Sequence, residues 1–591
     1  MGALIGWRAR ALGGNTSSTS ERERVPASRR CGDENEGPSL PSLVMRHPFI
    51  VLGLLALSAC GGGGGGSSSS PGTGGGGADN SWLSFSPTTN EVTTHTGESA
   101  PFTIKAVSSK VIDGVINVGV IDSRGVISPE IDLRHPSAMT YTAGLKVAPT
   151  LATGIYEGSF EVRLCRDVPT TCAQPIAGSP WQVPYKITVR PATNLTALTS
   201  LPGAAGWSTY QGDAMHTGFV DATVSAENFN RRWVRGISTA SIATDATRVF
   251  VNASNSVAGP LRALNEHDGS DLWTTSRSSV LSGPASSGGK VWTVALDANG
   301  RGPELWAVDA ATGATLSGVQ FYNSSFPSLR FAPVPAGASV FFAADSGTTI
   351  GRRRQSDGAA EWLTNFGPSP SVDAWTPTIG GGLAMVFDLG TLHVTDLATA
   401  TKNFSIVGPR PLSGSSVWAP FGAPSLGANG IAYATAYNAQ SSTPSGQLAA
   451  FDLNTRSLRW TGSLNTVRSN PVLARGVVYV TLASRTLQAL DAATGTELWR
   501  WDVPQPPADP NAPASAPGPY GPNAPLLVVG DYAFMGVDQV TYAVDLRTHQ
   551  LAWQYPLSGP LAVSANGVLY IASDQNVVDI SARKLVAINL R

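Results

Sequence analysis

Apolar and polar residues alternate with period two over many short runs of this chain, the pattern of half-buried β-strands. In Ile155–Leu164, the side chains of Tyr156, Phe160, Val162 and Leu164 share one face, with Glu157, Glu161 and Arg163 on the other. Val183, Tyr185, Ile187 and Val189 alternate again before Pro191. From residue 207 onward the alternation repeats. Its clearest unit is Leu487–Trp499, an Ala-x-Asp strand (Ala489, Asp491), a Thr-Gly turn (Thr494, Gly495), then Trp499 four residues after the Gly. The skeleton recurs with its Asp, Asn or substitute at 265, 309, 354, 396, 452, 491 and 545, at spacings of 44, 45, 42, 56, 39 and 54 residues. Such a period is one four-stranded propeller blade.

Each part of the skeleton has a physical reason. The Gly supplies the positive φ that the tight turn needs, and the Asp or Thr side chain bonds the turn backbone. The small Ala leaves room for an indole lying between neighbouring blades, so Trp233, Trp273, Trp362, Trp460, Trp499 and Trp553 are the expected blade-docking residues. Two halves are left over. Ala587-Ile588-Asn589 ends the chain with no Trp after it, and Arg232-Trp233-Val234 has no Ala-x-Asp before it. Joined, they make an eighth blade and leave the ring no open edge. The expected fold is therefore all-β: an Ig-like β-sandwich at about 80–190, from about seven strands, a linker at 191–206, and an eight-bladed propeller at 207–591 closed by N- and C-terminal strands.

The repeat resembles the tryptophan-docking repeat of the pyrroloquinoline-quinone-like (PQQ-like) propellers over 207–591. Trp207–Gly218, with Gly212-Asp213 and His216-Thr217-Gly218, looks like the leader that precedes the first blade in that superfamily. The stretch from Gly154 to Val189 resembles the Ig-like modules that precede repeats in bacterial surface lipoproteins. One branch of the superfamily binds PQQ and calcium through adjacent cysteines, acidic and amide ligands and an Asp base. The other, typified by the propeller lipoprotein of the outer-membrane assembly machinery, binds proteins and is not enzymatic. All four cysteines here precede residue 207, and no Glu, Asn and Asp set maps onto calcium ligands. The resemblance therefore implies a non-catalytic scaffold without PQQ or metal, with envelope proteins as partners. The alternative is a degenerate quinoprotein-type dehydrogenase or another propeller enzyme, with carboxylates converging across blades.

The N-terminal segment changes the picture of location. Arg46, His47, the apolar run Phe49–Leu57 and then Leu57-Ser58-Ala59-Cys60 have the order of a secretory signal, too short to span a membrane. Cys60 resembles the lipidated cysteine of a bacterial lipobox; an ordinary signal with an incidental Cys is the alternative. Met45 opens the signal as a start codon would, which suggests that residues 1–44 are a misassigned upstream stretch, against an extended leader. Residues 61–78 are nearly all Gly and Ser, a tether of roughly 20–25 Å root-mean-square reach within the segment 60–79. Gly61 lacks the Asp of the inner-membrane retention signal, so an outer-membrane anchor through lipid alone is expected.

In an exported chain, Cys165 and Cys172 are read as a disulfide stapling a loop. The seven His are scattered, and His216 is read as capping or core packing. Arg352-Arg353-Arg354 is read as a solvated strand edge ahead of an anion-binding patch. The chain has 40 basic and 41 acidic residues, without the basic stripe that nucleic acid requires. The longest spacings come from insertions at Asn438–Gly446 and Pro504–Pro525. Both would decorate the same rim of the ring, as binding loops or as neutral growth.

Overall fold

The computed structural model describes residues 80–591 except 113, 115, 138, 253–258, 298, 301, 321–331, 345–348, 366–375, 389, 410–417, 421, 439–445, 464–465, 504–524, 538 and 574–582. Cys60, the signal and the tether lie outside the described residues. No described helix is long and apolar enough to cross a membrane.

Eight strands build the first unit: β1 (Leu83–Ser86), β2 (Asn90–His95), β3 (Pro101–Ser108), β4 (Asn117–Ile121), β5 (Asp132–Ser137), β6 (Thr140–Lys146), β7 (Gly154–Cys165) and β8 (Trp181–Arg190). They form two four-stranded sheets, ordered β1-β3-β6-β5 and β2-β8-β7-β4. The predicted alternation sets the register, since Phe160, Val162 and Leu164 of β7 and Val183, Tyr185, Ile187 and Val189 of β8 are all buried in one core. Sequence counting expected about seven strands, and the eighth arises because the first strand is split. β1 joins one sheet, and β2 crosses at Pro87 to pair in parallel with β8 of the other. Cys165 and Cys172 are disulfide-bonded in the loop between β7 and β8.

The remaining strands form eight sheets around one axis. The innermost strands of blades 1 to 8 begin at Ile242, Ala285, Val334, Thr378, Ser425, Val472, Leu526 and Leu561. Each first strand touches the first strand of the next blade, and that of blade 8 touches blade 1, so the ring is complete. In blade 8 the fourth strand is Asn230–Arg235, paired antiparallel with Leu585–Asn589, the chain's last strand. The two leftover half-repeats thus meet, with Trp233 opposite Ala587.

A repeated proline explains how the inner strands begin. Pro284, Pro333, Pro377, Pro424, Pro471, Pro525 and Pro560 stand at or immediately before the first strand of blades 2 to 8. At the entry to a first strand the N–H lies outside the sheet ladder, so proline is tolerated there. Its carbonyl stays free to accept from groups at the axis.

Candidate functional site

The docking tryptophans all occupy one register position. Ala263 faces Trp273, Ala450 faces Trp460, Ala489 faces Trp499 and Ala543 faces Trp553, while Arg352 faces Trp362. The indole then reaches over the third-to-fourth-strand turn of the next blade. Nε1 of Trp233, Trp273 and Trp460 donates to the carbonyls of Glu266 (2.9 Å), Ala310 (3.1 Å) and Ala492 (3.0 Å). The turn glycines Gly269, Gly313 and Gly495 lie so close that an added Cβ would come within 2.7, 2.7 and 2.6 Å of those rings. In the turns themselves Asp309, Asp396 and Asp491 accept from two backbone N–H groups and a Thr hydroxyl. These bonds hold the three carboxyls below the ordinary Asp range.

Where the pattern is broken, the contact is replaced rather than lost. Trp499 meets His549 at the turn position, stacked at 4.3 Å, and Phe404 meets the Arg456 guanidinium at 4.8 Å. Two residues after Trp362, Thr364 Oγ1 donates to the carbonyl of Ala400 at the turn position of the next blade. His549, Arg456 and Ala400 all take the positive φ of the missing Gly, at 56°, 56° and 57°. Trp553 has no turn beyond it, because the third and fourth strands of blade 8 come from opposite ends of the chain. It packs edge-on against Phe229 instead.

At the axis, the leader visits the blades in order. Leu201 N–H donates to Ala565 of blade 8 (2.8 Å), and the carbonyls of Trp207 and Ser208 accept from Thr244 of blade 1 (2.8 Å) and Ser286 of blade 2 (2.7 Å). Thr209 Oγ1 donates to the Pro333 carbonyl of blade 3 (2.6 Å). The carbonyls of Ala214, Met215, Thr217 and Gly218 accept from Ile379, Leu426, Leu473 and Val528 of blades 4 to 7, at 2.7 to 2.9 Å. On most blades the partner lies within the first strand or in the turn that leads to its second, and on blade 3 it is the carbonyl of Pro333, immediately before the first strand. The leader thus laces all eight blades around the axis. His216 is fully buried in it, with Nδ1 2.7 Å from the Tyr210 carbonyl and Nε2 3.0 Å from that of Pro377. Burial lowers its proton affinity while those two carbonyls and Asp213 raise it. Its role is packing and cross-linking of the leader to blade 4. The proline carbonyls also take hydroxyls from neighbouring blades, Thr378 to Pro424 (2.6 Å) and Ser425 to Pro471 (2.7 Å).

Buried charge gathers at the closing seam. Arg232 is fully buried and donates to the carbonyls of His267 and Thr196, to Asn589 Oδ1 and to His267 Nδ1. Glu266, also fully buried, takes Asn566 Nδ2 at 2.8 Å, and burial pushes its carboxyl upward. These side chains fasten the closing strands of blade 8 to each other and to blade 1. The expected solvated edge at Arg352–Arg354 is corrected. The three lie on the third strand of blade 3 with Arg353 buried, Arg352 paired to Glu361 (2.6 Å) and Arg354 to Asp357 (2.9 Å). Among the described residues, the one cluster of metal-ligand type is Cys165, Asp167 and Cys172, and its two sulfurs are bonded to each other.

The sequence profile of the family described as "Outer membrane protein assembly factor BamB" matches residues 192–376, 257–419 and 402–591. The chain belongs to that family. The outer membrane protein assembly factor BamB of Bordetella pertussis is 31% identical over 148 residues, 24% of this chain and 37% of that protein. The match thus spans little more than a third of the relative's length. The crystal structure of BamB from Moraxella catarrhalis is similar at a TM-score of 0.44 and 18% identity, covering 61% of this chain and 98% of that one. A quinohemoprotein alcohol dehydrogenase from Comamonas testosteroni is similar at 0.47 and 12%, covering 65% and 80%. The family match is what places the chain: a PQQ-like propeller of the BamB type.

Proposed function

We propose that this protein is a lipid-anchored, non-catalytic scaffold that presents its propeller to other proteins at the outer membrane. Cys60 carries the lipid, the Gly/Ser segment is the tether, and the sandwich, whose strand grouping is that of an Ig-like module, stands between tether and propeller. The observation that carries the reading is the family match over the whole ring, whose description is an assembly factor rather than an oxidoreductase. The use of the buried polar groups supports it. The proline carbonyls, His216, Arg232 and Glu266 are engaged in holding blades, leader and seam together.

A scaffold of this kind binds through loops carried on a rigid ring. The insertions expected as binding loops, 438–446 and 504–525, fall for the most part outside the described residues (439–445 and 504–524), between strand ends on the face opposite the third-to-fourth-strand turns. The first joins second to third strands and the second joins fourth to first. Crosslinking in intact cells, followed by identification of the captured proteins, is the test. Shortening both loops to Gly-containing turns is expected to leave the fold intact and to reduce capture. An unchanged partner set would move the binding face elsewhere. Cys60→Ser is expected to abolish lipid labelling and membrane association, because several acyl chains are needed for stable anchoring. Unaltered membrane attachment of that variant would refute the anchor.

A further inference from the structure

We infer that the sandwich is a rigid strut, fixed to the propeller at one pole and joined to the tether at the other, so that sandwich and propeller move as one body at the tether's end. The inference rests on the anchored-scaffold reading for its biological sense, but not for its structural test.

The two poles are marked by the ends of β8. At Trp181, the indole donates to the carbonyl of Asn80, where the chain arrives from the tether, at 2.9 Å. The disulfide Cys165–Cys172 staples the loop that leads into this end. At the other end of this ten-residue strand, the Arg190 carbonyl takes the N–H of Thr96, beside the propeller. At about 3.3 Å per residue the poles are roughly 30 Å apart.

The propeller pole is clamped by a partly buried ionic group. Glu98 pairs with Arg231 of the closing strand and accepts from the Tyr555 hydroxyl of blade 7 at 3.2 Å. The backbone N–H of Arg231 donates to His95 Nε2 at 3.0 Å, and its Nε donates to the Ala192 carbonyl at 2.6 Å. Such a pair resists separation, because parting it leaves an unpaired buried charge.

The segment 191–206, linker-like in composition, supplies no hinge. After Ala192, Asn194 donates its N–H to Arg232 (3.3 Å) and accepts from Asn589 (2.9 Å). Thr196 accepts from Arg232 (2.9 Å), Ser200 from Arg591 (3.4 Å), and Leu201 bonds Ala565. Every few residues of this strap are tied to blade 8. A hinge needs consecutive backbone free to turn, and this strap has little.

The test is the distance between two spin labels on the full chain in mild detergent. They are carried by ketone-bearing amino acids replacing the exposed Val111 near the tether pole and the exposed Ala493 of blade 6. A single narrow distance distribution is expected, broadening severalfold when Glu98→Ala and Arg231→Ala are introduced together. A broad or two-peaked distribution in the chain with its clamp intact overturns the strut. A distribution that stays equally narrow without the clamp overturns the clamp as the element that fixes the strut to the propeller. Because the clamp variant can perturb folding, circular dichroism verifies its ring, and Glu98→Gln provides a milder step in the same direction. Loss of membrane anchoring through Cys60→Ser would leave these distances unchanged, so failure of the anchor and failure of the strut are told apart.

Discussion

Gly495→Ala separates the two costs that the docking turn imposes on its residue. Gly495 has φ +73°, and a Cβ there would lie 2.6 Å from Trp460 Cδ2. An L-residue in that region costs roughly 1–2 kcal/mol, and driving a methyl into a packed indole costs roughly 1–3 kcal/mol more. The expected loss is therefore about 2–5 kcal/mol. Gly358 provides the control. Its φ is +75°, but blade 2 has Ser317 where the Trp would be, and the nearest contact of an added Cβ is Ser317 Oγ at 3.2 Å. Gly358→Ala should lose little beyond the backbone term, about 1–2 kcal/mol. Denaturant titrations followed by circular dichroism and by fluorescence measure both, and coincident transitions validate the comparison. A cycle with Trp460→Ala completes it: without the indole, the cost of Gly495→Ala should fall to that of Gly358→Ala. Equal costs for the two glycines in the parent chain would refute the view that the turn glycine is there to admit the neighbour's tryptophan.

Three further outcomes are expected. His95 is held neutral by burial, with Arg231 and Arg190 adding to the effect, at a pKa of about 3. The unfolded chain takes up a proton near the ordinary value of 6.5, so the unfolded state binds more protons between the two. The contribution is complete above pH 6.5 and is lost by about 1.4 kcal/mol per unit as pH falls toward 3. Glu98 and Tyr555 face the same group. His95→Gln, which keeps an acceptor for Arg231 N–H, should flatten that slope in thermal unfolding, and an unchanged slope would assign the acid sensitivity to other groups. Reducing Cys165–Cys172 should cost roughly 2–3 kcal/mol, since the loop is short, and denatured, unreduced mature protein should titrate no free thiol at these two positions. Purified protein with calcium should show no saturable fluorescence quenching by micromolar PQQ, and saturable quenching would revive the dehydrogenase reading.

The ring was legible in the chain because its repeat is local. Ala-x-Asp, Thr-Gly and Trp fall within about a dozen residues, and pairing the orphan halves at Trp233 and Ala587 required only that a ring have no edge. The long-range contacts were not legible. Nothing near Arg352–Arg354 shows that Glu361 sits across the strand or that Arg353 turns inward. The segment 191–206 has the composition of a linker because its bonds are made by its backbone N–H and C=O groups, which no side-chain pattern records. The inner-strand prolines carried a readable signal, seven of them at blade spacing, that a search for Trp and Asp passes over.

The lacing also explains how the repeats can drift. A ring held only by its docking tryptophans would weaken wherever one was replaced, as at Ser317 and Phe404. Here seven of the eight blades are additionally tied to the leader through backbone groups, which survive any substitution other than by proline, and blade 3 through the Thr209 hydroxyl. Except in blade 7, where Phe219–Val220 of the leader pairs in parallel with Leu526–Val529, the innermost strands face an axis with no further strand to pair with, and unpaired buried N–H and C=O groups are costly. One chain running past all of them satisfies groups on each in turn and links every blade to a common element. Loss of one Trp then loosens one seam, while the ring stays closed through the leader and through the Arg232–Asn589 fastening of the ends. The side chains of the outer rim are thereby left free to diverge.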